Sequence, residues 1–227
     1  MSKPELPAAI FWDMDGTLIN TEPVWAETTF ELSEKLGRRL TPEERKKTEG
    51  ASFHESLGIC ARWARYELAP GEEDVLRDWM YSRMAKKLAH GIELTPGIRP
   101  LLRELHAAGV PMFVTTNTER RLADRCIDAI GRELFTDSIT GDEVATPKPA
   151  PDMYLEAARR AGAQPAACLV AEDSFAGMTA ASTAGCRVLG LAQEVPAGVY
   201  KFDPARFVGA TVESVSAWFA AAARPLG

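Results

Sequence analysis

Three times in the second half of the chain a helical stretch runs into glycine and a short apolar strand follows. The helix Ile98 to Ala108 stops at Gly109 before Val110-Pro111-Met112-Phe113-Val114; Ala161-Gly162 precedes Cys168-Leu169-Val170-Ala171; Ala184-Gly185 precedes Arg187-Val188-Leu189-Gly190-Leu191. A glycine stop ends a helix, and a strand that is apolar throughout rather than at alternate positions is buried on both faces. Repeated strand and helix therefore imply an α/β fold, a doubly wound, Rossmann-like parallel sheet with helices on both sides. Ligands of such sheets sit at the carboxyl ends of the strands. The early apolar run Ile10-Phe11-Trp12 reads as a further strand of the same sheet.

Residues 20–94 have another texture. Asn20 or Thr21 can cap a helix from Pro23 to Leu36 that stops at Gly37, and Thr41-Pro42-Glu43-Glu44 opens a second. Helical patterns follow over Phe53 to Tyr66 and Glu72 to Leu88, with no strand between them. The expected division is a sheet core over 1–19 and 95–227, with an all-helical cap inserted at 20–94. A last strand is expected near Phe207 to Gly209, a closing helix over Ala217 to Ala223, and a frayed tail from Arg224 to Gly227.

The net charge of -6 comes from 32 acidic against 26 basic residues with no long basic block, which argues against a nucleic-acid partner. Cys60, Cys126, Cys168 and Cys186 lack C-x-x-C spacing, as reduced structural thiols do. MSKPELPAA has no continuous apolar core of a signal peptide, and no later run is long enough to span a bilayer. A soluble cytoplasmic protein without membrane partners is expected, a monomer with a homodimer as the alternative.

The first strand ends in Asp13-Met14-Asp15-Gly16. Buried carboxylates cost several kcal/mol unless paired or bound to a cation, yet two aspartates after a strand also make an ordinary Asx turn. Thr115-Thr116-Asn117 could simply cap the helix beginning near Glu119. Lys148, between Pro147 and Pro149, could be an exposed loop lysine. Glu172 and Asp173 could be acids at the start of the helix near Ser174. Their co-occurrence at strand ends of one sheet favours another account. Two acidic pairs make a hard oxygen cage suited to Mg2+, and a lysine with hydroxyls suits a phosphoryl group.

These segments resemble the haloacid dehalogenase superfamily, in its subfamily with a helical cap after the first strand. Asp13-Met14-Asp15-Gly16-Thr17-Leu18 is similar to the first family motif and Thr115 to the second. Lys148 in Thr146-Pro147-Lys148-Pro149-Ala150-Pro151-Asp152 is similar to the third, and Glu172-Asp173-Ser174 with Gly177 to the fourth. The resemblance implies a nucleophile at Asp13 and a proton donor and acceptor at Asp15. It implies Mg2+ on the Asp13 side chain, the Asp15 carbonyl, Glu172 and Asp173. Phosphate would be held by Lys148, Thr115, the amides of Met14 and Thr116, and Asn117. The second acid points to phosphate esters, hence a phosphatase for a small phosphorylated metabolite, a sugar or polyol phosphate. A β-phosphoglucomutase-like mutase is the alternative, but the comparable cap positions hold Trp25 and Phe53, with His54 beside Phe53, where a mutase needs histidine and arginine. A non-catalytic binding module on this scaffold is a second alternative, and no motif residue is missing to mark one.

Overall fold

The computed structural model describes residues 5–89 and 91–222. Ala223 of the expected closing helix and the expected frayed tail lie outside the described residues. By internal contacts the chain divides into two compact units, Thr21–Glu93 and the segments on either side of it.

The first strand, β1 (Ala9–Trp12), is buried along its whole length. Beyond it lies the helical unit, made of α1 (Glu22–Lys35), α2 (Pro42–Lys46), α3 (Phe53–Ala64) and α4 (Glu72–Leu88). Local chemistry sets these boundaries: Thr41 accepts from the Glu44 amide, and Ser52 with Glu55 closes a reciprocal capping box. The unit buries Leu32, Leu57, Cys60, Leu76, Met80 and Met84. Within it the Tyr81 ring meets Trp25 at 6.5 Å and Phe53 at 5.8 Å. Phe53 is buried and carries the Arg77 guanidinium 5.4 Å above its ring. His54 is exposed and faces Glu73 at 3.0 Å.

The rest of the chain is the sheet unit. After α5 (Ile98–Ala107) come β2 (Met112–Thr116), α6 (Arg120–Ile130), β3 (Asp137–Thr140), α7 (Asp152–Ala161), β4 (Cys168–Glu172), α8 (Phe175–Ala184), β5 (Arg187–Gly190), β6 (Tyr200–Lys201) and α9 (Val212–Ala221). Among the described residues the six strands form one sheet in the order β3-β2-β1-β4-β5-β6, and every pairing is parallel. β1 lies between β2 and β4, with Trp12 opposite Val114 on one side and Ala171 on the other. Strand order reverses there, and a crevice opens above the strand ends at such a switch point.

One face of the sheet packs Phe11, Phe113 and Val170 against Met153, Tyr154 and Ala157 of α7 and Met178 of α8. Phe11 meets Phe113 edge to face at 5.7 Å. On the opposite face Trp12 packs on Phe207 at 6.0 Å, and Phe207 on Trp218 of α9 at 5.9 Å. The segment near Phe207 is therefore not the expected last strand. Pro204–Phe207 forms a 3-10 turn whose phenylalanine is fully buried, and the sixth strand is the two-residue Tyr200–Lys201. β2 runs through Thr116 rather than ending at Val114. All four cysteines are free and buried.

Candidate active site

At the end of β1 the Asp13 amide donates to the Ala171 carbonyl at 3.0 Å, which extends the β1–β4 ladder and fixes Asp13 above it. The chain then doubles back. The Met14 carbonyl accepts from Leu18 and Ile19 at 3.0 and 3.1 Å, and the Gly16 amide donates to Ile19 at 2.8 Å. Gly16 has φ +85°, and a Cβ there would lie 2.0 Å from Asp173 Oδ2. Only glycine fits both demands. Ile19 forms an isolated antiparallel bridge with Leu94, and Thr95 donates to Leu18 and Thr17. Both connections to the helical unit thus leave from adjacent points.

Lys148 is the centre of the site. Its ammonium is buried and donates to Asp13 Oδ1 at 2.7 Å, to the Thr115 carbonyl at 3.0 Å, and to Glu172 Oε1. Glu172 Oε1 also accepts from the Tyr154 hydroxyl at 2.8 Å, and its Oε2 from the Ser174 amide and hydroxyl at 3.1 and 3.0 Å. Asn117 holds the lysine by its backbone: Oδ1 accepts from the Lys148 amide at 3.0 Å, and Nδ2 donates to the Lys148 carbonyl at 3.1 Å. This sequence-predicted phosphate ligand spends both ends of its amide on placing Lys148.

A second cluster surrounds Asp15. Its Oδ2 accepts from the Thr116 hydroxyl at 3.2 Å and from the Thr118 hydroxyl at 2.8 Å. The structure does not bring the Thr115 hydroxyl to the carboxylates; it donates to the Trp12 carbonyl at 3.3 Å, inside the β1–β2 pair. Neighbouring strand residues point to opposite faces, and β2 is still a strand here, so Thr115 and Thr116 separate. The hydroxyl presented to Asp15 is that of Thr116, while that of Thr115, the expected phosphate ligand, meets the Trp12 backbone.

Electrostatics bind the set together. Burial, then the Glu172 charge, push the Asp13 carboxyl well above the ordinary carboxylate range, although Lys148 pulls it down. Desolvation and Glu172 push Asp173 up to about 8, against the opposing Lys148. For Lys148 burial alone would favour the neutral amine, but Asp13 and Glu172 reverse this and hold it well above its usual value. Burial and Glu172 likewise raise the Tyr154 hydroxyl, which stays a donor.

The donor set fits a hard divalent cation. Asp13, Glu172 and Asp173 bring carboxylate oxygens within 4.8 Å of one another. Asp13 Oδ2 is buried with no hydrogen-bond partner. Asp13, Asp15, Glu172 and Asp173 make four carboxylates against the single Lys148 ammonium. Oxygen ligands with excess negative charge are what Mg2+ takes, and a cation would relieve the Glu172 repulsion that adds to burial in raising Asp13 and Asp173.

Residues 7–185 match the haloacid dehalogenase-like hydrolase family. The chain belongs to it. Among haloacid dehalogenase-like relatives, CbbY of Rhodobacter capsulatus is 34% identical over 196 residues, covering 82% of this chain and 85% of that protein. A protein of Drosophila melanogaster named as a probable pseudouridine-5'-phosphatase is 33% identical, covering 78% of each. The chain also matches a bifunctional riboflavin kinase/FMN phosphatase of Arabidopsis thaliana at 33% identity over 83% of this chain, but spans only 49% of that protein's length. A CbbY variant from Rhodobacter sphaeroides, solved with xylulose-(1,5)bisphosphate, superposes with TM-score 0.70 at 28% identity, covering 89% of this chain and 88% of the other.

Two residues of the site escaped sequence reasoning. Tyr154 belongs to an apolar stripe with Met153, Ala157 and Ala158 that reads as helix core, and nothing in the stripe marks its hydroxyl. Thr118 precedes a helix, where threonine reads as a cap. The one available signal was strand parity, which separates Thr115 from Thr116 once β2 is extended.

Proposed function

We propose that this hydrolase is a Mg2+-dependent phosphatase that cleaves a small phosphomonoester, a sugar or polyol phosphate, through an aspartyl-phosphate on Asp13. The observation that carries the reading is the buried Lys148 ammonium, 2.7 Å from Asp13 Oδ1, beside a second acid held separately by two hydroxyls. A lone carboxylate approaching a phosphate dianion is repelled. A cation fixed against it offsets the repulsion and orients the attack.

Asp13 attacks phosphorus in line as the ester bond to the leaving oxygen breaks, and Asp15 gives that oxygen a proton. Asp15, now a carboxylate, takes a proton from water, which attacks the aspartyl-phosphate and frees Asp13 and inorganic phosphate. The backbone amides of Met14 and Thr116 supply donors to the phosphoryl oxygens, with Lys148 countering their charge. Mg2+, held by the side chains of Asp13, Glu172 and Asp173 and the Asp15 carbonyl, would neutralise part of the phosphoryl charge. Asn117 acts by placing Lys148. The core proposed for this chemistry is 1–19 with 95–227, and the cap is 20–94.

The relatives support the substrate class: one is named for a phosphorylated nucleoside and one was solved with a sugar bisphosphate. In the helical unit Trp25 and Phe53 pack on Tyr81. Aromatic rings offer neither the proton shuttle nor the second phosphate clamp of a mutase, so hydrolysis is the reading kept.

The test is phosphate release from a panel of sugar, polyol and nucleotide phosphates, with mutase activity assayed in parallel. Wild type is expected to release phosphate with Mg2+, to stop with EDTA and to recover on Mg2+ addition. Asp13→Asn should keep the fold and lose turnover of every ester; retained turnover would refute the nucleophile, and indifference to EDTA the metal.

A further inference from the structure

We infer that Thr118 is a positioning residue for proton transfer, one that aims Asp15 at the departing oxygen; the inference rests on the phosphatase reading above. A threonine just ahead of a helix ordinarily spends its hydroxyl on the first free amides of that helix. Thr118 does not. The N-cap of α6 is Glu119, which makes no side-chain cap bond, and the Arg120 amide is served from elsewhere, by Asp142 Oδ1 at 2.9 Å. The Thr118 hydroxyl turns instead to Asp15 Oδ2 at 2.8 Å.

The arrangement closes on itself. The Thr118 amide donates to Thr116 Oγ1 at 3.0 Å, and the Thr116 hydroxyl donates onward to the same Asp15 Oδ2 at 3.2 Å. A hydroxyl has one hydrogen to give. Both hydroxyls converge on Oδ2, which fixes the orientation of the Asp15 carboxyl group. Thr118 is buried, and its branched Cβ restricts χ1. The hydroxyl is thereby held in one place, and the carboxyl plane with it.

In the first half-reaction the bond from Asp13 to phosphorus forms, the ester P–O bond breaks, and the Asp15 carboxyl proton passes to the departing oxygen. An alkoxide needs that proton as it leaves. p-Nitrophenolate leaves readily without it. Loss of aim should therefore penalise alkyl phosphates more than p-nitrophenyl phosphate, whereas a merely structural defect would lower both alike.

The experiment compares kcat/KM of wild type, Thr118→Val and Thr118→Ser on p-nitrophenyl phosphate and on the best alkyl phosphate of the panel above. General acid–base catalysis contributes roughly 10²–10⁴-fold, so partial misalignment should lower the alkyl-to-aryl ratio about tenfold or more in T118V. Serine, which keeps the hydroxyl, should bring the ratio back toward wild type. If T118V does not fold by thermal unfolding, Thr118→Ala takes its place with the same expected change. Equal losses on both substrates, or a serine variant as impaired in the ratio as valine, would overturn the role of Thr118. If wild type releases phosphate from no ester, the phosphatase reading fails and the inference with it.

Discussion

Gly177→Ala sets local propensity against tertiary contact. Gly177 lies in the first turn of α8, where alanine is favoured over glycine by about 1 kcal/mol, so helix chemistry alone predicts stabilisation. A Cβ at Gly177 would lie 1.7 Å from Glu172 Oε1 and 2.0 Å from its carboxyl carbon. Glu172 cannot swing aside freely, because it is buried and tied to Lys148, Tyr154 and Ser174. Moving it forfeits at least two bonds to a charged group, at about 1.5–3 kcal/mol each. Against the propensity gain, a net loss of about 2–5 kcal/mol remains. For a chain of this size that lowers the unfolding midpoint by roughly 5–20 °C. The assay is thermal unfolding beside Gly58→Ala, an internal control in α3, where a Cβ would meet only the flexible end of Arg62 at 3.2 Å. Gly58→Ala should be neutral or stabilised. A Gly177→Ala midpoint at or above wild type, with phosphate release unchanged, would refute the argument that Glu172 is pinned.

Lys148→Met leaves Asp13 and Glu172 without their shared ammonium, and breaking a buried pair this way costs about 3–5 kcal/mol. A lowered unfolding midpoint and a fall in kcat/KM of at least ~10² are expected, as for loss of one preorganised transition-state donor; wild-type kcat/KM would show that Lys148 is only structural. Thr115→Val should lose only the 3.3 Å bond to Trp12, costing about 1 kcal/mol of stability and little activity. Thr116→Val should cut kcat/KM far more, and equal losses from the two would mean that the strand places them alike.

Legibility in the sequence followed hydrophobicity. β1, β2, β4 and β5 are apolar runs that announce themselves. β3 is Asp-Ser-Ile-Thr, with one large apolar residue in four, and only its pairing with β2 makes it a strand. The turn at Phe207 has the composition of a strand but is a plug against Trp12, a tertiary fact with no local signature. In the site, charged residues at strand ends were readable because buried charge is unusual. Asp13, Lys148, Glu172 and Asp173 lie together, whereas sequence reasoning assigns a role to the Thr115 hydroxyl and none to those of Thr116, Thr118 and Tyr154. A threonine fits strand, cap and site equally well, and its job depends on which way one torsion points.

The bridge between Ile19 and Leu94 also bears on how the chain assembles. β1 must find β2 across 102 positions, from Phe11 to Phe113, an expensive loop to close. Local helical contacts form early, and 75 of those positions separate Ile19 from Leu94. Once the insertion is folded and its ends are clasped, the effective loop shrinks to about 27 positions, which saves about 1 kcal/mol of closure entropy. On this arithmetic a folded and clasped insertion would act as a splint for the sheet, lowering the entropic cost of pairing β1 with β2.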